Sequence, residues 1–431
     1  MKTKTISIEL NEVTKKWVKK YIEDGKLPNF KKILRNPQAV ETLSEKEYKK
    51  LEPWIQWPSF YTGKSFNDHG CFNLGDSEKK INKTIYDDFQ QREMNVLAIS
   101  PMNCSFTQKN KSVFLPDPWS QQPFKNHFFL DKMWKAASKV VNTNDRLNLN
   151  FLDFVFLGCG FFLNVRPKSY FKFLKYLFLS FRYTWAKAII LDLLLMEVFI
   201  RFSRKKNLFS YCSVFLNAAA HIQHHYLYDS KCYEGLNSNP YEYSKASKTD
   251  IDPVYEILRN YDAFIHEINK MFDGDNIFIS SGLQQTENEE PYYQYRPINH
   301  KELLKKLDIN YKTVSPKMSR DMLINFHSSS QLKSAAEKLK KLEIQGQNFL
   351  NVDEDIENNS LFIKIGWRGP VSKLKDIKLN NRTIDLSKDF KVASIENSIH
   401  ISKGWSYSSK NLFKSDLNIW DIRHLINGLN K

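Results

Sequence analysis

Cysteine is scarce and unpatterned in this chain. The five residues, Cys71, Cys104, Cys159, Cys212 and Cys232, make an odd number with no Cys-x-x-Cys spacing. That excludes a disulfide framework and a zinc knuckle, and the plain expectation is reduced thiols in a cytoplasmic protein. A Gly-rich phosphate loop, a Gly-x-Ser-x-Gly elbow and a dinucleotide fingerprint are all missing, which removes three large enzyme classes. No apolar run is both long and unbroken. Residues 154–165 are uncharged but too short to span a bilayer, and the run 188–200 is interrupted by Asp192 and Glu197. The first ten residues are basic and then strand-like, without the apolar core of a secretory leader. No internal repeat or low-complexity segment stands out.

Acidic residues are outnumbered, giving a net charge of +16 over 431 residues. The lysines are scattered rather than gathered into a stripe, so specific nucleic-acid binding is not expected. Anionic lipid or a phosphorylated glycan suits such a surface equally well. With 42% hydrophobic residues, the chain has ample material for a core, in one large domain with an insertion or in two domains.

Thr5-Ile-Ser-Ile-Glu-Leu reads as a buried strand ending at Asn11-Glu12, followed by a helix through Trp17, Val18 and Tyr21. Residues 94–99 and 211–216 read as further core strands. A helix from Asp252-Pro253 to about Phe272 precedes another strand at 276–281. Strands alternating with helices predict an α/β fold built on a doubly wound, mostly parallel sheet. Residues 123–206 turn helical and aromatic, and read as a helical cap inserted between 1–122 and 207–431 of the α/β domain. Within the cap, Lys168, Lys172, Lys175 and Arg182 repeat at helical spacing beside Phe171, Leu174, Phe178 and Phe181. Such a helix either lies on an anionic membrane surface or presents a solvated charged face over a packed one.

Two stretches carry chemistry. His221, His224 and His225 place i,i+3 and i,i+4 pairs on one helix, a spacing at which two imidazoles grip one metal. Earlier, Glu52-Pro-Trp-Ile-Gln-Trp-Pro-Ser-Phe-Tyr-Thr-Gly63 runs on to His69-Gly70. This second stretch resembles the nucleophile region of the alkaline phosphatase superfamily, in its type I phosphodiesterase/nucleotide pyrophosphatase branch. Trp57, Ser59, Thr62, Gly63, His69 and Gly70 fall in register with that pattern, while Pro53 stands where the family carries its catalytic Thr or Ser. The register extends to other segments. The family's first metal-binding Asp-Gly falls on Asn11-Glu12, with Glu9 two residues back. Its Gln-His falls on Gln223-His224, its Asp-His on Ser281-Gly282, and its late His-x-x-x-Gly on His400 and Gly404.

The resemblance implies a site at the C-terminal edge of the sheet, with His224 and His400 as metal ligands and His221 beside them. Glu9, Asn11 and Ser281 stand at or near the remaining ligand positions. Ser59 is the nearest hydroxyl to the missing nucleophile, and Glu52 a carboxylate beside it. One divalent site at most is implied, for zinc, manganese or magnesium, in a hydrolase of a phosphate ester or phosphodiester, including a nucleotide-sugar or glycan-linked one. The alternative is a catalytically inactive, ligand-binding descendant in surface-glycan or lipid-linked assembly. A third reading makes the basic cap helix the functional surface of a peripheral membrane protein.

Overall fold

The computed structural model describes residues 3–120, 122–142, 149–205, 207–245, 251–316, 321–380 and 382–429. They fall into two compact units, Met1–Glu287 with Ile399–Lys431, and Asn288–Ser398.

The first unit is built on eight strands: β1 Thr5–Leu10, β2 Ala39–Leu43, β3 Val96–Ile99, β4 Val113–Leu115, β5 Tyr211–Leu216, β6 Asn276–Ser280, β7 Lys403–Ser408 and β8 Leu417–Asn418. Their order is β8-β2-β7-β6-β1-β5-β3-β4. The run from β6 to β4 is parallel throughout, and β7 alone runs against its neighbours β6 and β2. β1 is central and buried along its whole length. Its alternate residues Ile6, Ile8 and Leu10 join the core under the helices Lys15–Glu23, Trp185–Ser203, Ala218–Tyr226 and Pro253–Met271. On the opposite face Tyr211, Phe215 and Phe278 pack against Trp57, Phe60 and Tyr61 of helix Pro53–Thr62. A parallel sheet covered on both faces is the doubly wound arrangement, and open sheets of this kind place their sites at the C-terminal strand ends.

The block 123–206 is helical where described, with helices Phe128–Asn142, Phe151–Asn164, Tyr170–Ser180 and Trp185–Ser203. All of it belongs to the first unit. Its last helix is a wall of the α/β core, with Ile189, Phe199 and Ile200 buried in the cluster that holds the strands. The two carboxylates that break this helix's apolar run are both engaged. Glu197 pairs with Arg166 at 2.7 Å, and Asp192 accepts from the backbone at Ala218. No described helix is long and apolar enough to cross a membrane.

The second unit, Asn288–Ser398, lies within the span that the sequence division assigned to the α/β domain. It has its own core, including Ile324, Leu332, Leu361 and Ile363. Two four-stranded antiparallel sheets accompany the helices His300–Lys306 and Ser329–Lys340.

Candidate metal centre

Two loops leaving the C-terminal edge of the parallel strands and the strand that leads into β7 converge in the first unit. After β1, the backbone N–H of Asn11 donates to the Leu216 carbonyl at 3.0 Å and that of Glu12 to the Ser281 carbonyl at 2.8 Å. These bonds tie the end of β1 to the ends of β5 and β6. They hold Glu12 at a φ of +58°, a left-handed conformation costly for any residue with a Cβ. After β5, the chain turns at Asn217 into helix Ala218–Tyr226. The buried carboxylate of Asp192 accepts from the first backbone donors there, Ala218 at 2.8 Å and Asn217 at 3.3 Å, and from the Tyr261 hydroxyl. Burial raises the pKa of Asp192 to about 6, opposed by those hydrogen bonds. Asp192 thereby anchors the helix that carries His224. His400 arrives on strand Phe390–Ile401, directly before β7.

The side chains of Glu12, His224 and His400 meet. The Oε2 of Glu12 lies 3.0 Å from Nε2 of each histidine, and the two Nε2 atoms are 2.9 Å apart. Glu12 is fully buried, the histidines partly so. Burial pushes the Glu12 pKa up, but the adjacent imidazoles of His400 and His224 outweigh it and hold the carboxyl well below its usual range. The Gln285 side-chain amide donates to the same Oε2, and Gln223 donates to the Glu12 carbonyl at 2.7 Å. On the far side of His400, Nδ1 lies 3.7 Å from a Glu52 carboxylate oxygen. That distance is an electrostatic contact rather than a hydrogen bond, and it sets a second carboxylate beside His400. Two imidazoles and one carboxylate fit a divalent cation, and the same donor set with an open fourth position is used by catalytic zinc sites.

The remaining residues singled out from sequence lie elsewhere, and each has a physical reason. Asn11 adjoins the group without being part of it. Its Oδ1 accepts from the Trp57 indole at 2.7 Å, and its Nδ2 donates to Glu12 at 3.0 Å and to Asn217 at 2.7 Å. An indole N–H can only donate, so the amide orientation follows from it, and Asn11 serves as a buttress. The Ser281 hydroxyl is buried and bonded to the Trp405 backbone N–H at 2.9 Å. At Gly282 a Cβ would lie 2.9 Å from the Trp57 ring, and one at Gly404 would collide with the Gly282 carbonyl. The indole and strand β7 thus leave no room for a side chain at Gly282 or Gly404. Glu9 is buried on the other face of the sheet, accepting from the Tyr61 hydroxyl at 2.5 Å. Burial raises its pKa to about 8, so it is protonated at neutral pH and is no ligand. His221 is exposed, one turn from His224, with its ring edge-on to His225 at 4.7 Å.

Ser59 sits 2.9 Å from His69 Nε2 inside helix Pro53–Thr62 and its neighbouring turn. The backbone N–H of Cys71 donates to His69 Nδ1 at 3.1 Å, which places the ring proton on Nε2, pointing at the serine. The hydroxyl in turn reaches the Ile55 carbonyl at 3.3 Å. Burial lowers the His69 pKa to about 4, keeping the ring neutral. Activation of a nucleophile needs the opposite arrangement, with the imidazole accepting the hydroxyl proton. Ser59→Ala should therefore leave metal affinity and any ester turnover within about twofold, and lower stability by about 1 kcal/mol in urea melts. A loss of activity at constant metal content would restore Ser59 to the chemistry.

The motif register leaves Glu12 only as one of the carboxylates, with Glu9 and Glu52, near the ligand positions, and gives Gln285 no role. The register put the metal-binding carboxylate at position 11. The signal that could have found Glu12 is its place one residue on, at the strand end, in the position where the family pattern has glycine.

No known family profile matches the sequence, and no curated protein matches it. Solved structures do. Murine ectonucleotide pyrophosphatase/phosphodiesterase 5 in complex with AMP aligns at 11% identity over 99% of this chain and 94% of that one, with a TM-score of 0.40. Phosphonoacetate hydrolase from Sinorhizobium meliloti in complex with phosphonoformate aligns at 10% identity over 99% and 95%, with a TM-score of 0.44. A mutant of alkaline phosphatase PafA aligns at 10% identity over 97% and 93%, with a TM-score of 0.37.

Proposed function

We propose that this protein is an alkaline-phosphatase-like hydrolase of a phosphate ester or phosphodiester, working with one divalent cation held by Glu12, His224 and His400. The observation that carries the reading is the meeting of one carboxylate oxygen and two imidazole nitrogens, at 2.9–3.0 Å from one another, from three distant parts of the chain. Their positions are those at which the superfamily pattern places metal ligands, with the carboxylate moved from residue 11 to residue 12. A divalent cation in such a set supplies Lewis-acid polarisation of a phosphoryl oxygen and a nucleophile at neutral pH. The protein's part is to hold the Glu12 carboxylate in place through the Gln285 amide, and to set a second carboxylate, Glu52, beside His400. With Pro53 at the nucleophile's place and Ser59 locked in its own hydrogen bonds, no covalent phospho-enzyme forms. The positive net charge suits an anionic substrate, and a nucleotide-sugar or glycan-linked phosphate is the class we favour. We place the protein in the cytoplasm, in keeping with its five free cysteines.

A second reading, a catalytically silent binding protein in glycan or lipid-linked assembly, is favoured by the same lack of a free hydroxyl at the nucleophile's place. Elemental analysis of chelator-free protein, followed by assays of aryl phosphate, phosphodiester and sulfate esters with zinc, manganese and magnesium, separates the two. The expected result is one divalent ion per chain and turnover that requires it. Metal binding without turnover of any ester would favour the binding protein. Turnover that survives both His224→Ala and His400→Ala would show that the site lies elsewhere.

A further inference from the structure

A helix in water buries its apolar face and exposes its polar one. Helix Phe151–Asn164 does the reverse. Its buried positions are Asp153, Gly160 and Asn164, while Phe151, Leu152, Phe154, Val155, Phe162 and Leu163 are exposed. The buried Asp153 is ion-paired with Lys139 at 2.9 Å, and Gly160 lies tight against the Met133 side chain, where a Cβ would not fit. Close packing against helix Phe128–Asn142 thus turns the small and polar side inward. Helix Tyr170–Ser180 continues the surface, joined at one corner by the ring contacts of Phe161 with Tyr170 and Phe173. Phe171 is 83% exposed, Phe178 69% and Phe181 80%. Of the twenty large hydrophobic side chains exposed among the described residues, fourteen fall between residues 128 and 181. Scattered exposed apolar side chains need no explanation, but a concentration of this kind, on two helices whose rings touch, marks an interaction surface.

The charge on this surface says what covers it. Among the described residues between 128 and 187, nine side chains are basic and two acidic. Arg182 is exposed beside Phe181 and lies over the Tyr183 ring, Lys132 lies over the rings of Phe128 and Phe156, and Lys172 is exposed at the edge of the cavity it lines with Arg166, Glu197 and Glu267. Lys175, by contrast, is ion-paired with Glu256 at 2.8 Å, and Lys168 with Glu267 at 3.0 Å. Exposed aromatic and aliphatic tips interleaved with cations suit the boundary between acyl chains and anionic headgroups. Helix Phe151–Asn164 has 14 residues, and at about 1.5 Å per residue it is too short to span the bilayer, so it would lie in the plane of the interface.

We propose that helices Phe151–Asn164 and Tyr170–Ser180 form a docking face for an anionic phospholipid membrane. This face is independent of the metal group and does not rest on the proposed hydrolysis. The test is flotation of the full chain with phosphatidylcholine vesicles, with and without phosphatidylserine. The wild type should float with the anionic vesicles and more weakly with the neutral ones. Phe171→Asp with Phe178→Asp should lower the bound fraction by at least about tenfold, and Lys172→Glu with Arg182→Glu should abolish the preference for anionic lipid. Both variants should keep the wild-type circular dichroism spectrum and thermal melting transition, which shows that they are folded. Cys159 supplies a second readout, since it is exposed on the first helix while the other four cysteines are buried. An environment-sensitive dye on Cys159 should shift to the blue when anionic vesicles are added. Failure of the wild type to float, or equal flotation by the phenylalanine variant, would overturn the proposal. If in that case the wild type forms a concentration-dependent dimer that the phenylalanine variant dissolves, the face belongs to a second copy of the chain.

Discussion

Glu12→Gln should abolish divalent-metal binding and take with it any ester turnover, on the order of a 10³-fold loss or more, since metal and electrostatic contributions are each worth several kcal/mol. The substitution keeps the volume and the left-handed backbone at residue 12, so a loss would reflect the missing charge rather than a cavity. His224→Ala and His400→Ala should act in the same direction. Gln285→Ala and Glu52→Ala, which remove only the groups beside Glu12 and His400, should weaken metal binding by about 10- to 100-fold. Titration calorimetry with zinc and manganese, read against thermal melting, separates ligand loss from unfolding. Metal affinity unchanged in Glu12→Gln would mean that the carboxylate and the two imidazoles meet for a structural reason only.

The second large effect concerns stability rather than chemistry. Glu9 is fully buried with a folded-state pKa of about 8 against 4.5 for the free side chain. Between those values the folded chain holds a proton that the unfolded chain releases. The stability associated with neutral Glu9 is therefore complete below pH 4.5, falls as pH rises through the window, and is gone above pH 8. The difference across the window is roughly 5 kcal/mol. Glu9→Gln keeps the shape and an acceptor for the Tyr61 hydroxyl, and has no proton to lose. Urea unfolding measured from pH 5 to pH 9 should show the wild type weakening relative to Glu9→Gln, with the variant the more stable at pH 9. Asp117 and Asp192, whose pKa values burial raises to about 6, add a slope of the same sign to both proteins and cancel in the comparison. Parallel stability curves would show that Glu9 is ionised in the folded protein.

Much of the α/β framework was legible before any coordinates. β1, β3, β5 and β6 lie where short apolar runs predicted core strands, and helix Pro253–Met271 starts at Asp252-Pro253. There the Asp252 side chain caps the Tyr255 N–H at 3.0 Å. Such features depend on neighbours a few residues away, so a linear pattern records them. His224 and His400, 176 residues apart, were also named in advance, because a register of short motifs preserves spacing to strand ends. What they meet was not legible. Whether Asn11 or Glu12 faces two imidazoles depends on a left-handed turn at residue 12, set by backbone bonds to β5 and β6.

The same limit explains Ser59, Glu9 and the helices beyond residue 150. A serine near the place of a missing nucleophile looks like its replacement until the Cys71 N–H decides which nitrogen of the neighbouring His69 carries the proton. A glutamate near a ligand position looks available until its strand turns it toward Tyr61 rather than toward the site. An apolar run such as Phe-Leu-Asp-Phe-Val-Phe-Leu reports hydrophobicity and helical length, but not which side the neighbouring helix will cover. By itself the sequence determined the strands and helices, their α/β alternation and two of the three side chains that meet at the strand ends. Tertiary structure alone decided which carboxylate meets the two imidazoles, the hydrogen bonds that hold Ser59, the separate unit Asn288–Ser398 and the outward face of Phe151–Asn164. Each of these depends on which groups, far apart in the chain, compete for the same hydrogen bond or the same volume.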